Sequence, residues 1–296
     1  MTNDENSNAK ENFIAIHGVD QRSKEIVFAS RAIARSRARR DANANALELE
    51  LELDSVTVTQ RGSQTREFKG DTSSVVWPMA YVTARFLCER TLKEDDSATG
   101  ATRTREEICA LARRGVVTSH TVVVEVGAGA GLLGIVIAAL GARRVTVTDE
   151  TMDLLRANVE ASGEANVEAR RLRWAINPSR ESEDEDGDRG RGDEPFGDWN
   201  DVVAFVESLE EKPHMIVGSD VMYSQNKRTM RALADTVAAI ADEHTAILIG
   251  FEDRGDWGQL ATFYECGEEA GLFGDGAPFY DEDDEDRLVI TLQKKV

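Results

Sequence analysis

The chain has 296 residues, 41% of them hydrophobic, enough to bury a full core as one large domain or two small ones. Its 35 Lys and Arg stand against 55 Asp and Glu, a formal net charge of -20 that repels phosphate backbones and disfavours nucleic acid as a partner. Three widely separated cysteines, Cys88, Cys109 and Cys266, lack C-x-x-C spacing and argue for reduced thiols and against a metal site.

The opening segment MTNDENSNAKEN is polar and acid-containing, which argues against a secretory signal or a transit peptide. No apolar run reaches membrane-spanning length without charge, so no membrane partner is expected. The expected location is the cytosol, with nuclear access as an option, and the expected state is a monomer. Residues 1–45 lack a clear period and are expected to form a disordered tail. Within it SRAIARSRARR, residues 30–40, is a basic island, expected as a solvated tail, as a frayed helix, or as an address for the nucleus or a partner.

The folded domain is expected over residues 46–296. Leu47, Leu49, Leu51 and Leu53 alternate with Glu48, Glu50 and Glu52, and VTVTQ from Val56 repeats the alternation after a turn at Asp54 and Ser55. This predicts a β-hairpin packed on one face. Met79, Val82, Phe86 and Leu87 then fall at helical spacing, and Thr104 with Glu107 forms a capping box before the helix of Ile108 and Leu111.

From residue 121 strands and helices alternate. Strands are predicted at 121–126, 145–147, 167–173, 215–218, 246–251 and 288–292, with helices at 132–140, 152–162, 227–243 and near 257–270. Regular β-α-β alternation predicts an open, parallel α/β sheet with helices on both faces. Two charge runs interrupt it. Residues 177–212, with ESEDEDGDRGRGDE inside, are expected to be a disordered acidic insertion. DEDDED at residues 281–286 reads as a solvated loop, or as one lining a mouth for a basic substrate.

Directly after the first of these strands, Gly127, Gly129 and Gly131 stand at alternate positions. Such glycines let the backbone turn and approach a ligand, and the following helix presents its free N–H groups there. GAGLLG from Gly129 also fits the dinucleotide pattern G-x-G-x-x-G, but only Glu125, Gly127, Gly129 and Gly131 in E-x-G-x-G-x-G fall straight onto the turn. Asp149 ends the next strand, where its carboxylate can accept both hydroxyls of a ribose. These residues point to an adenosine-containing ligand and leave NAD and S-adenosylmethionine (SAM) both open.

Further motifs lie in order along the chain: VVWPMA at residues 75–80, LLRANV from Leu154, LRW at residues 172–174 and IVGSDVMY at residues 216–223. With the glycine turn they resemble the seven-strand protein-lysine methyltransferases called methyltransferase family 16, from about Leu47 to the C-terminus. The resemblance implies a Rossmann-like, seven-stranded SAM-dependent methyltransferase sheet with an N-terminal hairpin. It also implies a SAM site made by Trp77, Glu125, Gly127, Gly129, Gly131, Asp149 and Trp174, and a protein substrate carrying the target lysine. Ser73 and Ser74 depart from the glycines that many relatives carry, Met79 from a usual small residue, and His214 from a common Asp at a strand start.

Asp220 and Tyr223 form D-x-x-Y at a strand's carboxyl end. If the reaction is methyl transfer, an in-line displacement, positioning of the attacking atom carries much of the catalysis. Asp220 is expected to accept a hydrogen bond from a lysine amine, and the Tyr223 ring to wall the channel and favour the cation. A carboxylate also raises the amine pKa, so Asp220 alone does not deprotonate it. Two other readings stay open. One is a nucleic-acid amino-methyltransferase of the [DN]-P-P-Y type, against which stand Val221, Met222 and the net charge. The other is a SAM-binding interaction protein without turnover.

Overall fold

VVVEV, β3 (Val122–Val126), is buried at all five positions, as expected for a strand covered on both faces of a parallel sheet. This computed structural model describes residues 25–40, 54–60, 72–94, 103–180, 196–223, 226–255 and 258–295. The other strands of the main sheet are β4 (Arg144–Asp149), β5 (Val167–Arg171), β6 (Met215–Ser219), β7 (Ala246–Glu252), β8 (Leu272–Gly274), β9 (Phe279–Tyr280) and β10 (Arg287–Lys294). They lie in the order β5-β4-β3-β6-β7-β10-β8, with β9 beside β10. The first five are parallel, and β10 returns antiparallel to β7. The sheet therefore has eight strands, where the resemblance implies seven and the pattern shows six; the pattern misses β8 and β9, which are too short to show alternation.

The chain runs outward from β3 through β4 to β5, then returns to β6 on the opposite side of β3. That reversal makes the carboxyl ends of β3 and β6 the crevice in which open α/β sheets bind ligands. Eight α-helices are described: α1 (Arg31–Arg40), α2 (Pro78–Lys93), α3 (Arg105–Arg113), α4 (Leu132–Ala139), α5 (Asp153–Ser162), α6 (Trp199–Glu207), α7 (Lys227–Ile240) and α8 (Gly258–Glu269). The Thr104–Glu107 capping box forms at the start of α3. Side chains that alternate along the strands feed two cores. Val123, Val145, Val147 and Val217 pack with Leu87 of α2 and Ile135 of α4, whereas Val124, Ile216 and Ile249 pack with Val202 of α6, Leu233 of α7 and Phe263 of α8.

Three expectations are corrected. Residues 25–40 are not a tail: β1 (Glu25–Ser30) pairs antiparallel with β2 (Asp54–Thr59), and α1 follows it. Ile26 and Phe28 oppose Val58 and Val56, and all four side chains are buried. The basic island is α1, with Ile33 buried and Arg37 paired to Asp54 at 2.7 Å and Glu164 at 2.9 Å. Asp54 and Ser55 are thus strand residues rather than a turn, and β2 takes its partner from upstream; residues 47–53, the expected first arm of the hairpin, lie outside the described residues.

The third correction concerns the insertion. Asp198 caps α6, whose Val202 and Phe205 are buried three positions apart, so Trp199–Glu207 is a packed amphipathic helix. Asn177 donates its N–H to Asp235 at 2.9 Å and Arg180 pairs with the same carboxylate at 2.8 Å. Only residues 181–195 of the expected insertion lie outside the described residues.

His214 shows why the strand start tolerates it. Its Nδ1 accepts the Val122 N–H at 3.1 Å, and burial lowers its pKa to about 4, so it stays neutral and serves as an acceptor.

Candidate active site

The glycine turn is built by backbone geometry. Gly127, Gly129 and Gly131 have φ of 64°, 54° and 87°, the left-handed region that L side chains avoid. A Cβ on Gly127 would also meet Val221 at 2.9 Å and Trp174 at 3.0 Å, and one on Gly131 would meet Leu155 at 2.7 Å. Gly131 is the N-cap of α4 and supplies no side-chain cap, so the first turn of that helix keeps donors for a ligand. Asn158 of LLRANV ties the turn to the N-terminal strands, donating to the Ala130 and Thr59 carbonyls at 2.8 Å each.

Asp149 ends β4 with its carboxylate at the turn. Its Oδ2 accepts the Gly129 N–H and its Oδ1 the Thr151 N–H, both at 2.9 Å. These bonds hold the carboxylate at the turn, and a carboxylate oxygen can accept more than one hydrogen bond. Trp174 packs its ring against the Gly127 backbone, and its carbonyl accepts the Gly197 N–H at 2.9 Å.

These groups line one cavity of about 380 Å³, within the size range of small-molecule sites. Trp77, Gly127, Gly129, Gly131, Asp149, Trp174, Asp220 and Tyr223 all border it, so the structure brings together eight of the nine residues expected there. Glu125 is the exception. Its side chain is buried behind the turn against Gly134 rather than toward the cavity. Burial pushes its carboxyl up to about 8; the Gly134 N–H opposes that rise and the nearby Asp149 charge adds to it. Glu125 lies beneath the turn and does not line the cavity. The acidic run does not line this cavity either: Asp281 and Asp283 pair with Arg85, and Asp284 with Arg287.

Asp220 lies at the end of β6 with φ of 55°, a left-handed conformation in a non-glycine residue. Such backbone costs about 1–3 kcal/mol and concentrates at functional sites. Its side chain is 5% exposed; Oδ2 accepts the Met79 N–H at 3.1 Å and Oδ1 accepts Arg254 Nη2 at 2.8 Å. Burial raises its pKa, and Arg254 and the Met79 N–H oppose that rise. Tyr223 is half exposed, its ring centroid 6.5 Å from that of Trp174.

Arg254 was not expected at the site. Its guanidinium stands 5.0 Å from the centre of the Trp77 ring and also pairs with Glu252 at 2.9 Å. FEDRG reads as a strand running into a turn, so nothing in its spacing marks the arginine; it joins the site because β7 lies beside β6.

Among the described residues no helix is long and apolar enough to cross a membrane, and no group of His, Cys, Asp and Glu could hold a metal ion.

Residues 63–187 match the model of a family described as lysine methyltransferase, methyltransferase family 16. The matched segment carries the glycine turn, Asp149 and both cavity tryptophans. The domain is that of a SAM-dependent methyltransferase, and SAM is its cofactor. Several solved structures are similar to part of this chain. A TehB-like SAM-dependent methyltransferase from Corynebacterium glutamicum is 16% identical, over 67% of this chain and 92% of that one, with a TM-score of 0.43. The fibrillarin pre-rRNA processing protein of Methanococcus jannaschii is 12% identical, over 60% and 67%, at 0.42. A mutant of MtNAS in complex with S-adenosylmethionine is 17% identical, over 74% and 75%, at 0.40. Comparison with curated proteins gives no match.

Proposed function

We propose that this protein is a protein-lysine N-methyltransferase. The observation that carries the reading is the D-x-x-Y pair: a nearly buried carboxylate, Asp220, and a half-exposed aromatic ring, Tyr223, border the same cavity as the glycine turn. A carboxylate beside aromatic rings suits an alkylammonium, which it attracts as a charge while the rings attract it through their faces. The description of the matched family supports the same acceptor.

Bound SAM would supply a methyl group on a positively charged sulfur. The glycine-turn N–H groups and Asp149 would hold it, with the Trp174 ring beside the turn and Trp77 across the cavity. Asp220 then orients the acceptor nitrogen, and Tyr223 shields the approach from water. Because a carboxylate favours the ammonium form, desolvation in the cavity and the positive charge of bound SAM would have to lower the amine pKa, with the proton released to solvent water. A nucleic-acid acceptor is disfavoured by the net charge of -20. The proposed location is the cytosol, which suits three buried cysteines without a disulfide.

Incubation with isotopically labelled SAM and a methylation-deficient lysate, followed by mass spectrometry, tests the reading. Methyl-lysine in a protein band is expected; label confined to RNA would overturn it.

A further inference from the structure

Asp220 is already engaged. Arg254 Nη2 donates to its Oδ1 at 2.8 Å and to Glu252 Oε2 at 2.9 Å, while Nε donates to the same Glu252 oxygen at 3.0 Å. The guanidinium stands 5.0 Å from the Trp77 ring centroid. Two carboxylates and an aromatic ring therefore surround one cation, the arrangement that an alkylammonium also seeks. With Arg254 in place the Asp220 side chain is 5% exposed, whereas that of Arg254 is 42% exposed. An incoming amine that is to pair with Oδ1 of Asp220 must take the position that the guanidinium holds.

The charges balance around that position. Glu252 Oε1 accepts Arg287 Nε at 2.7 Å, and Arg287 also faces Asp284 at 3.5 Å, so Arg287 is committed on the far side. Were Arg254 to leave, the Asp220 carboxylate would keep, among the described residues, the Met79 N–H at 3.1 Å. A nearly buried carboxylate with that neutral donor calls for a replacement cation. Arg254 is on the exposed turn after β7, and a Cβ on the following Gly255, at φ 89°, would meet none of the described residues within 4 Å.

We propose that Arg254 is an internal stand-in for the acceptor, filling a cation subsite made by Asp220, Glu252 and Trp77 until a substrate ammonium displaces it. This rests on the lysine reading for the identity of the natural ligand. The subsite itself predicts that only a cation narrow enough to enter beside Trp77 takes Arg254's place, which makes the arginine a filter for acceptors.

Small amines test this without methyl transfer. Binding of n-butylammonium to the full chain is measured by calorimetry or ligand-observed NMR for wild type, Arg254→Ala and Arg254→Gln, with melting curves confirming the fold. Both variants should bind it at least tenfold more tightly than wild type, and methylguanidinium should compete. Adding Asp220→Asn to either variant should erase the gain. Equal affinity in wild type and both variants, or a gain that survives Asp220→Asn, overturns the proposal and leaves Arg254 as a fixed brace. If amine binding follows Arg254 and Asp220 while no protein lysine is methylated, the subsite stands and the lysine acceptor falls.

Discussion

Replacing Glu125 with Gln probes the layer beneath the glycine turn. The Glu125 carboxyl is fully buried, and that burial raises its pKa from 4.5 to about 8. In the unfolded chain it titrates near the ordinary glutamate value. Between those two values the native state holds a proton that the unfolded state has released. The stabilisation is complete below the unfolded pKa and is lost as pH rises through the folded one, at about 1.4 kcal/mol per pH unit in between. Gln keeps the shape and cannot titrate. Urea unfolding at pH 6 and pH 7.5 should therefore show wild type losing on the order of 2 kcal/mol more than Glu125→Gln across the interval. Asp220, Asp235 and Glu89 are also raised by burial, but they act in both proteins and cancel in the difference. Parallel stability profiles for the two proteins would refute the buried, protonated Glu125.

Asp149→Ala should weaken S-adenosylhomocysteine binding by about 1.5–3 kcal/mol for each hydrogen bond lost to the charged acceptor, read by calorimetry, and should free the Gly129 N–H that the carboxylate now holds. NAD should show no binding in the same experiment. Phe28→Ala should cost about 3–5 kcal/mol in urea unfolding, because the ring is fully buried against Tyr81; a negligible loss would return residues 25–40 to the status of a tail.

The sequence carries the central sheet well because its signals are local. A valine run, a glycine turn and a returning strand lie within thirty residues, and parallel pairing follows from their alternation. The capping box at Thr104 and Glu107 needs only three residues of context. Pairing across distance was not legible in the same way. EIVFAS alternates, but only β2, some thirty residues on, completes its apolar face. The stripe of Val202 and Phe205 was hidden by the acidic run before it. At the site, the glycine turn, Asp149 and the D-x-x-Y pair are read from spacing and the two tryptophans from the family resemblance, and neither source tells which way a side chain points. Glu125 points beneath the glycine turn against Gly134, while Arg254 enters from a neighbouring strand end that no motif marks.

The central claim, that Asp220 serves lysine methylation rather than cofactor binding, is tested most directly by comparing wild type with Asp220→Asn in one labelled-SAM assay on a methylation-deficient lysate. Hydrolysis of the labelled protein identifies the acceptor, and S-adenosylhomocysteine affinity is measured in parallel. The account predicts methyl-lysine from wild type, its loss or near loss in the variant, and an affinity change below about tenfold, roughly 1.4 kcal/mol. Full methyl-lysine yield from Asp220→Asn, or label recovered only in nucleic acid, would contradict it.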